Sequence, residues 1–315
     1  MGKYIIRRMI YMLITLFAII TLTFWAMKVI PGDPIAAKYD KATPEMQARI
    51  ERIYGLDKSK PEQFAVYLKN ILQGNLGLSI SQPSKTANNI IGETFPASAR
   101  LGVTALIWGL FGGILCGVIA GLKRNSIWDL VITIITTLGI AVPNFVVASL
   151  LQYTFSYRFS ILPTLGWESK GNWLLPDRYI ILPAAALAFG SIAIYAKYMR
   201  EAISDVMDEE YVLLAKAKGL SERKIMTKYI LRNAIFPIVT VSAQQVAMLL
   251  TGSVVIESIF SIPGIGKYFV SSVVQRDYTV IMAVTIFYSL IYMISMLIMD
   301  LLYYKIDPRI QSEQI

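Results

Sequence analysis

The chain has 315 residues, 55% hydrophobic and 16% charged, with a mean hydropathy of +0.55 and a formal net charge of +9. Soluble domains carry roughly 25% charged residues, so this composition excludes an ordinary water-soluble globule. The lone Cys116 excludes an intrachain disulfide, and the absence of histidine removes the commonest general base and metal ligand.

Six stretches without Asp, Glu, Lys or Arg organise the sequence: 9–27, 101–122, 130–157, 179–196, 233–256 and 278–299. Each is about 18 residues or longer, enough to cross a hydrocarbon core of ~30 Å as a helix. In lipid the backbone must satisfy its own hydrogen bonds, which predicts an all-α polytopic membrane protein with six transmembrane helices. Lys3, Arg7 and Arg8 precede the first stretch in the manner of a signal peptide. Its length exceeds a signal core of roughly 7–15 residues and no clear small-residue cleavage site follows, so it reads as an uncleaved span.

Residues 31–99 come next. Thr43-Pro44-Glu45 opens a helix carrying Met46, Ile50, Ile53 and Tyr54 at helical spacing, with Gly55 as its stop. A second helix from Pro61 carries Phe64, Tyr67, Leu68, Ile71 and Leu72 on one face and stops at Gly74. Two short amphipathic helices need a cover for their apolar faces. The membrane surface or the bundle supplies one reading, and an extracytoplasmic partner supplies another.

Span two holds Gly109, Gly113, Gly117 and Gly121, one glycine every four residues. Small residues at that spacing let a second helix approach closely, inside this chain or on a homologous partner. Pro143, Pro183 and Pro237 fall within or beside spans three, four and five; each removes a backbone hydrogen bond and can bend its helix. Polar side chains are few there: Asn144, Gln152, Ser191, Ser242, Gln244, Gln245 and Thr251. Gln244 and Gln245 point about 100° apart on a helix, so they do not both face lipid cheaply. Interhelical hydrogen bonding and a lining role in a translocation path (with Asn144) both remain open. Ionisable residues, the mark of proton or ion relays, are missing from all six stretches.

Between spans four and five lies the longest charged loop, 200–232. Asp205, Asp208, Glu209 and Glu210 come first, Lys216 and Lys218 next, then Gly219. Acids at the start and bases at the end suit a helix dipole, and glycine is the favoured stop. Ser221 is placed to cap a second helix, with Ile225, Met226, Tyr229 and Ile230 on one face and Lys224, Lys228 and Arg232 on another. On the residues alone, anionic lipid headgroups and a protein partner are both fitting contacts.

Basic residues cluster at Lys3, Arg7 and Arg8, at Lys123 and Arg124, through the charged loop, and at Lys305 and Arg309. The alternate short loops carry fewer: Arg158, Lys170 and Arg178, then Lys267 and Arg276. This positive-inside asymmetry predicts cytoplasmic N and C termini and an outer 31–99 segment, and it is not the layout of a nucleic-acid binder. The stretch from Pro263 to Phe269, PGIGKYF, lacks the first glycine of a phosphate loop and has Tyr268 where Ser or Thr belongs. No nucleophile elbow, Cys/His cluster or paired-carboxylate motif is present, so the sequence offers no catalytic residues, no metal ligands and no energy source of its own.

The segment EYVLLAKAKGLSERK, followed by LRNAIFP, resembles the cytoplasmic coupling loop of ABC-importer permeases of the dipeptide, oligopeptide and nickel branch. PGDP (31–34), GNLGLS (74–79), AVPNF (141–145), LPTLGW (162–167), ESIFSIPGIG (257–266), RDY (276–278) and DPRI (307–310) resemble that branch too, in order along the whole chain. The broader importer pattern, Glu-Ala-Ala-x3-Gly-x9-Ile-x-Leu-Pro, is met at Ala215 and Gly219. Leu213 and Leu214 replace its Glu-Ala, and Pro237 comes five positions late, as is usual in the peptide/nickel branch.

The resemblance implies a type I ABC importer permease fold in the cytoplasmic membrane of a prokaryote. It implies division into 1–30 (N-terminus and first span), 31–99 (extracytoplasmic helical segment), 100–310 (five-helix core with coupling loop 200–232) and a tail at 311–315. It gives Glu210, Tyr211, Ala215, Lys216, Ala217, Lys218, Gly219, Leu220, Ser221 and Arg223 as the loop that docks on a cytoplasmic ATPase. Its implied partners are a second homologous permease in a heterodimer, two ATPase subunits, an extracytoplasmic substrate-binding protein and membrane lipid. ATP and Mg are then used by those ATPase subunits, and this chain binds no cofactor. Peptides are the expected cargo, with nickel or another small solute as the alternative. A self-contained channel or secondary transporter would instead carry intramembrane charges or an internal repeat, and neither is clear here.

Overall fold

The computed structural model describes residues 2–29, 43–168 and 177–306. The motifs at 31–34 and 307–310, with Lys170 and Arg309, lie outside them. Among the described residues the regular structure is helical, apart from an isolated β-bridge between Leu78 and Thr86. The longer helices are α1 (Gly2–Val29), α2 (Pro44–Tyr54), α3 (Lys60–Leu72), α4 (Ala87–Leu122), α5 (Ile127–Ala141), α6 (Asn144–Leu151) and α7 (Ile181–Met207). After α7 come α8 (Glu210–Ala217), α9 (Glu222–Ile225), α10 (Leu231–Ala234), α11 (Phe236–Leu250), α12 (Val254–Ile259), α13 (Ile265–Val274) and α14 (Tyr278–Ile306).

Among the described residues, five segments are long and apolar enough to cross a membrane: Ile5–Val29, Ala87–Leu122, Ile181–Met207, Phe236–Ile259 and Tyr278–Leu302. The expected third span is a broken one, with α5 and the following Asn144–Arg158 helix meeting at 107°. The corner is the AVPNF motif. Val142 is extended (φ −84°, ψ 124°) because the ring of Pro143 disfavours a helical residue before it, and Pro143 then caps α6. The other two prolines stand in the first turns of their helices. Pro183 is the third residue of α7 and Pro237 the second of α11, positions whose backbone N–H has no intrahelical partner anyway. Pro96, within α4, is the interior proline instead.

By internal contacts the chain forms two units, 1–96 with 263–293 and 97–262 with 294–315. In the first, both short helices start and stop as the sequence predicts. Thr43 Oγ1 accepts from Met46 N, and Gly55 ends α2 at φ +66°. Glu62 accepts from both the amide and the hydroxyl of Ser59, which hold its carboxyl below the usual carboxylate range. Phe24 of α1 packs its ring 5.1 Å from Phe64 and 5.9 Å from Tyr67, so the first span supplies part of the cover that α3 requires. The start of α4 (Ala87, Ile90, Ile91) joins Ile265 of α13 and Val280, Ala283 and Val284 of α14 in a second core.

In the other unit α7 is the central helix, with more than half of its apolar window buried. The glycine stripe of α4 lies on it in parallel register. A Cβ added at Gly109, Gly113, Gly117 or Gly121 would stand 2.4–2.8 Å from the Cβ of Ser191, Tyr195, Met199 or Ile203 respectively. Four residues on one helix therefore match four on the other, the ridge spacing that permits the closest approach. Gly139 of α5 meets Ala193 in the same way. The stripe is packing within this chain.

Candidate functional site

The charged loop begins later than the sequence suggests, because α7 continues through Arg200 to Met207. Glu209 enters α8 in extended conformation, and α8 then divides its side chains sharply. Val212 (0% exposed) and Ala215 (3%) face a core with Met199 and Ile203 of α7 and with Ile225, Ile230 and Ala234 beyond the corner. Glu210, Tyr211, Leu213, Leu214, Lys216, Ala217 and Lys218 are exposed. Ala215 thus anchors the helix to its own chain, while Ala217 stays on the surface.

Gly219 makes the corner. Its φ is +72°, its N–H donates to the Lys216 carbonyl at 2.9 Å, and Leu220 N donates to Ala215 O at 3.3 Å. That pair of bonds is a Schellman stop, with Leu220 packed back against the core as the motif favours. Nothing lies within 4 Å of where a Cβ would stand, so the demand for glycine comes from the backbone conformation alone. Ser221 follows as the helix cap through its carbonyl, which accepts from Lys224 N (2.9 Å) and Ile225 N (3.0 Å). Its hydroxyl makes no capping bond, contrary to the sequence expectation.

After α9 the chain winds through a π-helical turn, Met226–Ile230. Bonding of the i→i+5 type is wider than an α-turn, and it brings Ile225 and Ile230, five residues apart, to the same buried face. Arg223, Lys224, Lys228 and Arg232 remain exposed, as the sequence predicts.

Asn233 fixes this loop, while Asp129 and Arg200 join α5 to α7. Asn233, in LRNAIFP, donates to the Tyr211 hydroxyl (3.0 Å) and to Tyr229 O (2.8 Å), tying α10 to α8. Asp129, 5% exposed, accepts from Arg200 at 2.5 and 3.0 Å and from Asn125 N at 3.0 Å. These two charges sit just outside the uncharged stretches, which carry no sign of the pair. Arg124 reaches Asp208 at 3.0 Å, but both are exposed and the pair is worth little.

The polar residues in the spans are not gathered in one place. Gln245 is buried and accepts from Ser191 Oγ at 3.0 Å, joining α11 to α7. Gln244 points away and is exposed. Asn144 opens α6 with its Oδ1 beside Gly190. Towards the other end of this unit, LPTLGW and ESIFSI meet: Gly166 N donates to Phe260 O at 3.0 Å and Gln152 Nε2 to Thr164 O at 2.8 Å. Arg100, 4% exposed, pairs with Asp177 at 2.6 Å, donates to Glu168 O and lies 5.3 Å from the Trp167 ring centre.

An exposed short helix, stopped by a left-handed glycine and braced from behind, is a built surface with no chemistry of its own. Residues 113–312 match the family model of the binding-protein-dependent transport system inner membrane component, and residues 1–107 match its N-terminal companion. The chain belongs to this family. It is 43% identical over 312 residues to the dipeptide transport system permease protein DppB of Bacillus subtilis, covering 99% of this chain and 98% of that one. It is 38% identical to DppB of Lactococcus lactis and 35% identical to the oligopeptide transport system permease protein OppB of Haemophilus influenzae, each over 99% of this chain and all of theirs. A solved amino acid ABC transporter, crystallised with histidines, superposes with a TM-score of 0.49 at 18% identity over 70% of this chain and 94% of that one. Membership makes the apolar helices spans of a multi-pass cell-membrane protein, a transport permease.

Proposed function

We propose that this chain is one membrane subunit of an ATP-driven importer of dipeptides or oligopeptides. The reading is carried by kinship of 35–43% along the whole chain with permeases named for those substrates. The exposed α8 helix and Gly219 corner supply the physical counterpart. With both termini cytoplasmic, Tyr211, Leu213, Leu214, Lys216, Ala217 and Lys218 enter a cleft of an ATPase subunit, where apolar side chains give affinity and flanking charges give orientation. Two such ATPases bind and hydrolyse MgATP, a second homologous permease completes the path, and an extracytoplasmic binding protein delivers the peptide. Gln244, exposed in the isolated chain, is a candidate for the path or for the partner permease, and Asn144 for the path.

The test is co-purification of the tagged chain in mild detergent, with the segment from Ala215 to Lys224 intact or altered, followed by uptake of a labelled dipeptide by the reconstituted assembly. ATPase subunits recovered only with the intact segment, and ATP-dependent peptide uptake, are the expected results. A stable chain without an ATPase partner would point to a self-contained transporter, and uptake of chelated nickel but not peptide would replace the substrate.

A further inference from the structure

Within the first unit a cleft of about 460 Å³ lies where two spans end. One wall is the last turn of the first span, including Met27 and Lys28, and another is the first turn of the last, including Tyr278 and Met282. Helix α3 closes a third side with Val66 and Tyr67. Span ends lie at the depth of lipid headgroups, where one end of a cleft is wet and the other borders hydrocarbon. Its lining is mostly apolar, and its described charged residues are Lys28 and Lys58, with no carboxylate among them. Lys28 gives one hydrogen bond to Gln63 Oε1 and stands 5.4 Å from the Phe24 ring centre, leaving ammonium donors for a ligand. The hydroxyls of Tyr67 and Tyr278 are buried without a hydrogen-bond partner beside the same space.

A lysine that merely snorkels to the interface needs no cleft beneath it. A cation above an apolar recess, with donors unmatched by acceptors, fits an amphiphile with an anionic head. We propose that this cleft holds an anionic phospholipid, its phosphate at Lys28 and an acyl chain along Met27, Val66 and Met282, pinning α3 to the ends of the two spans.

The test is native mass spectrometry of the full-length chain with its co-purifying subunits, equilibrated with equal dioleoylphosphatidylglycerol and dioleoylphosphatidylcholine. One phosphatidylglycerol per chain should be retained about fivefold over phosphatidylcholine, the preference expected of one cation near a headgroup. Lys28→Gln should abolish the preference, and Val66→Trp, entering from a partly exposed position, should expel either lipid. Lys28→Gln preserves size and hydrogen bonding, so it decides alone should the tryptophan variant fail to fold. Equal retention of the two lipids by the unaltered chain, or unchanged preference in Lys28→Gln, would overturn the proposal. So would displacement of the lipid by inorganic phosphate or by trileucine, which would reassign the cleft to a small anion or to a peptide.

Discussion

Ser79 and Asp277, 198 positions apart, are joined by a hydrogen bond of 2.5 Å from a buried hydroxyl to a buried carboxylate. The same carboxylate accepts from Ser81 N at 2.9 Å and from Val280 N at 3.2 Å, so it caps α14 and holds the strand-like segment before α4 at once. Beside it Gly77, at φ +94°, brings the backbone so near Thr279 that a Cβ would lie 2.8 Å from the methyl. Two motifs that are separate in the sequence, GNLGLS and RDY, are one structural device.

Asp277→Ala removes three hydrogen bonds and a helix cap, and should destabilise the folded chain by about 2–3 kcal/mol. Ser79→Ala should cost about 1 kcal/mol. Thermal unfolding in detergent measures both, and equal midpoints for Asp277→Ala and the unaltered chain would refute this account.

At Gly219 the requirement is conformational. Gly219→Asn, which tolerates positive φ, should keep transport near normal, while Gly219→Val should lose most of it at normal membrane abundance. Space does not distinguish the two, since no atom stands within 4 Å. Peptide uptake set against immunoblotted membrane levels gives the answer; equal uptake by both variants would remove the corner from the coupling role.

Gly113 is the opposite case. Its φ is ordinary, but a Cβ there meets Tyr195 Cβ at 2.4 Å and the Ile192 carbonyl at 2.9 Å. Gly113→Leu should therefore separate α4 from α7 and cost upwards of about 3 kcal/mol, beyond ordinary overpacking. Size-exclusion profiles should show aggregation. A monodisperse, thermally unaltered variant would contradict the parallel packing of these helices.

The Asp129–Arg200 pair permits a double-mutant cycle. Asp129→Asn leaves a one-third-exposed guanidinium facing a neutral amide and should lower stability by roughly 1 kcal/mol, with Arg200→Gln costing more because it strands the nearly buried Asp129 carboxylate. A coupling energy near zero between the two substitutions would demote the pair to a surface contact.

Gln245→Leu should destabilise by about 1 kcal/mol, since Ser191 loses its acceptor across the helix interface. Gln244→Leu should leave stability unchanged and alter peptide uptake or permease pairing. If it alters neither, Gln244 faces lipid.

Much of this protein is legible along the chain. Uncharged stretches of membrane length, the glycine stripe, the stops at Gly55, Gly74 and Gly219, and the exposed bases of the charged loop follow from local rules: bilayer thickness, helical period and positive φ. The breaking of the third span at Pro143 and the first-turn placement of Pro183 and Pro237 were not separable that way. A proline's effect depends on where the first turn of its helix falls, and neighbouring helices decide that. The inward turn of Ala215, the π turn that aligns Ile225 with Ile230, and the bracing by Asn233 depend on packing across the corner.

The pairings Ser79–Asp277, Asp129–Arg200 and Arg100–Asp177 depend on residues 71 to 198 positions apart. A hydrogen bond leaves no trace in the period or composition of either segment. It forms only when the burial of apolar faces has carried both groups out of water and left each other as the remaining partner. The sequence by itself therefore determined that this chain lives in a membrane and where several of its helices stop; tertiary structure decided which polar groups meet, because that follows from three-dimensional proximity under desolvation.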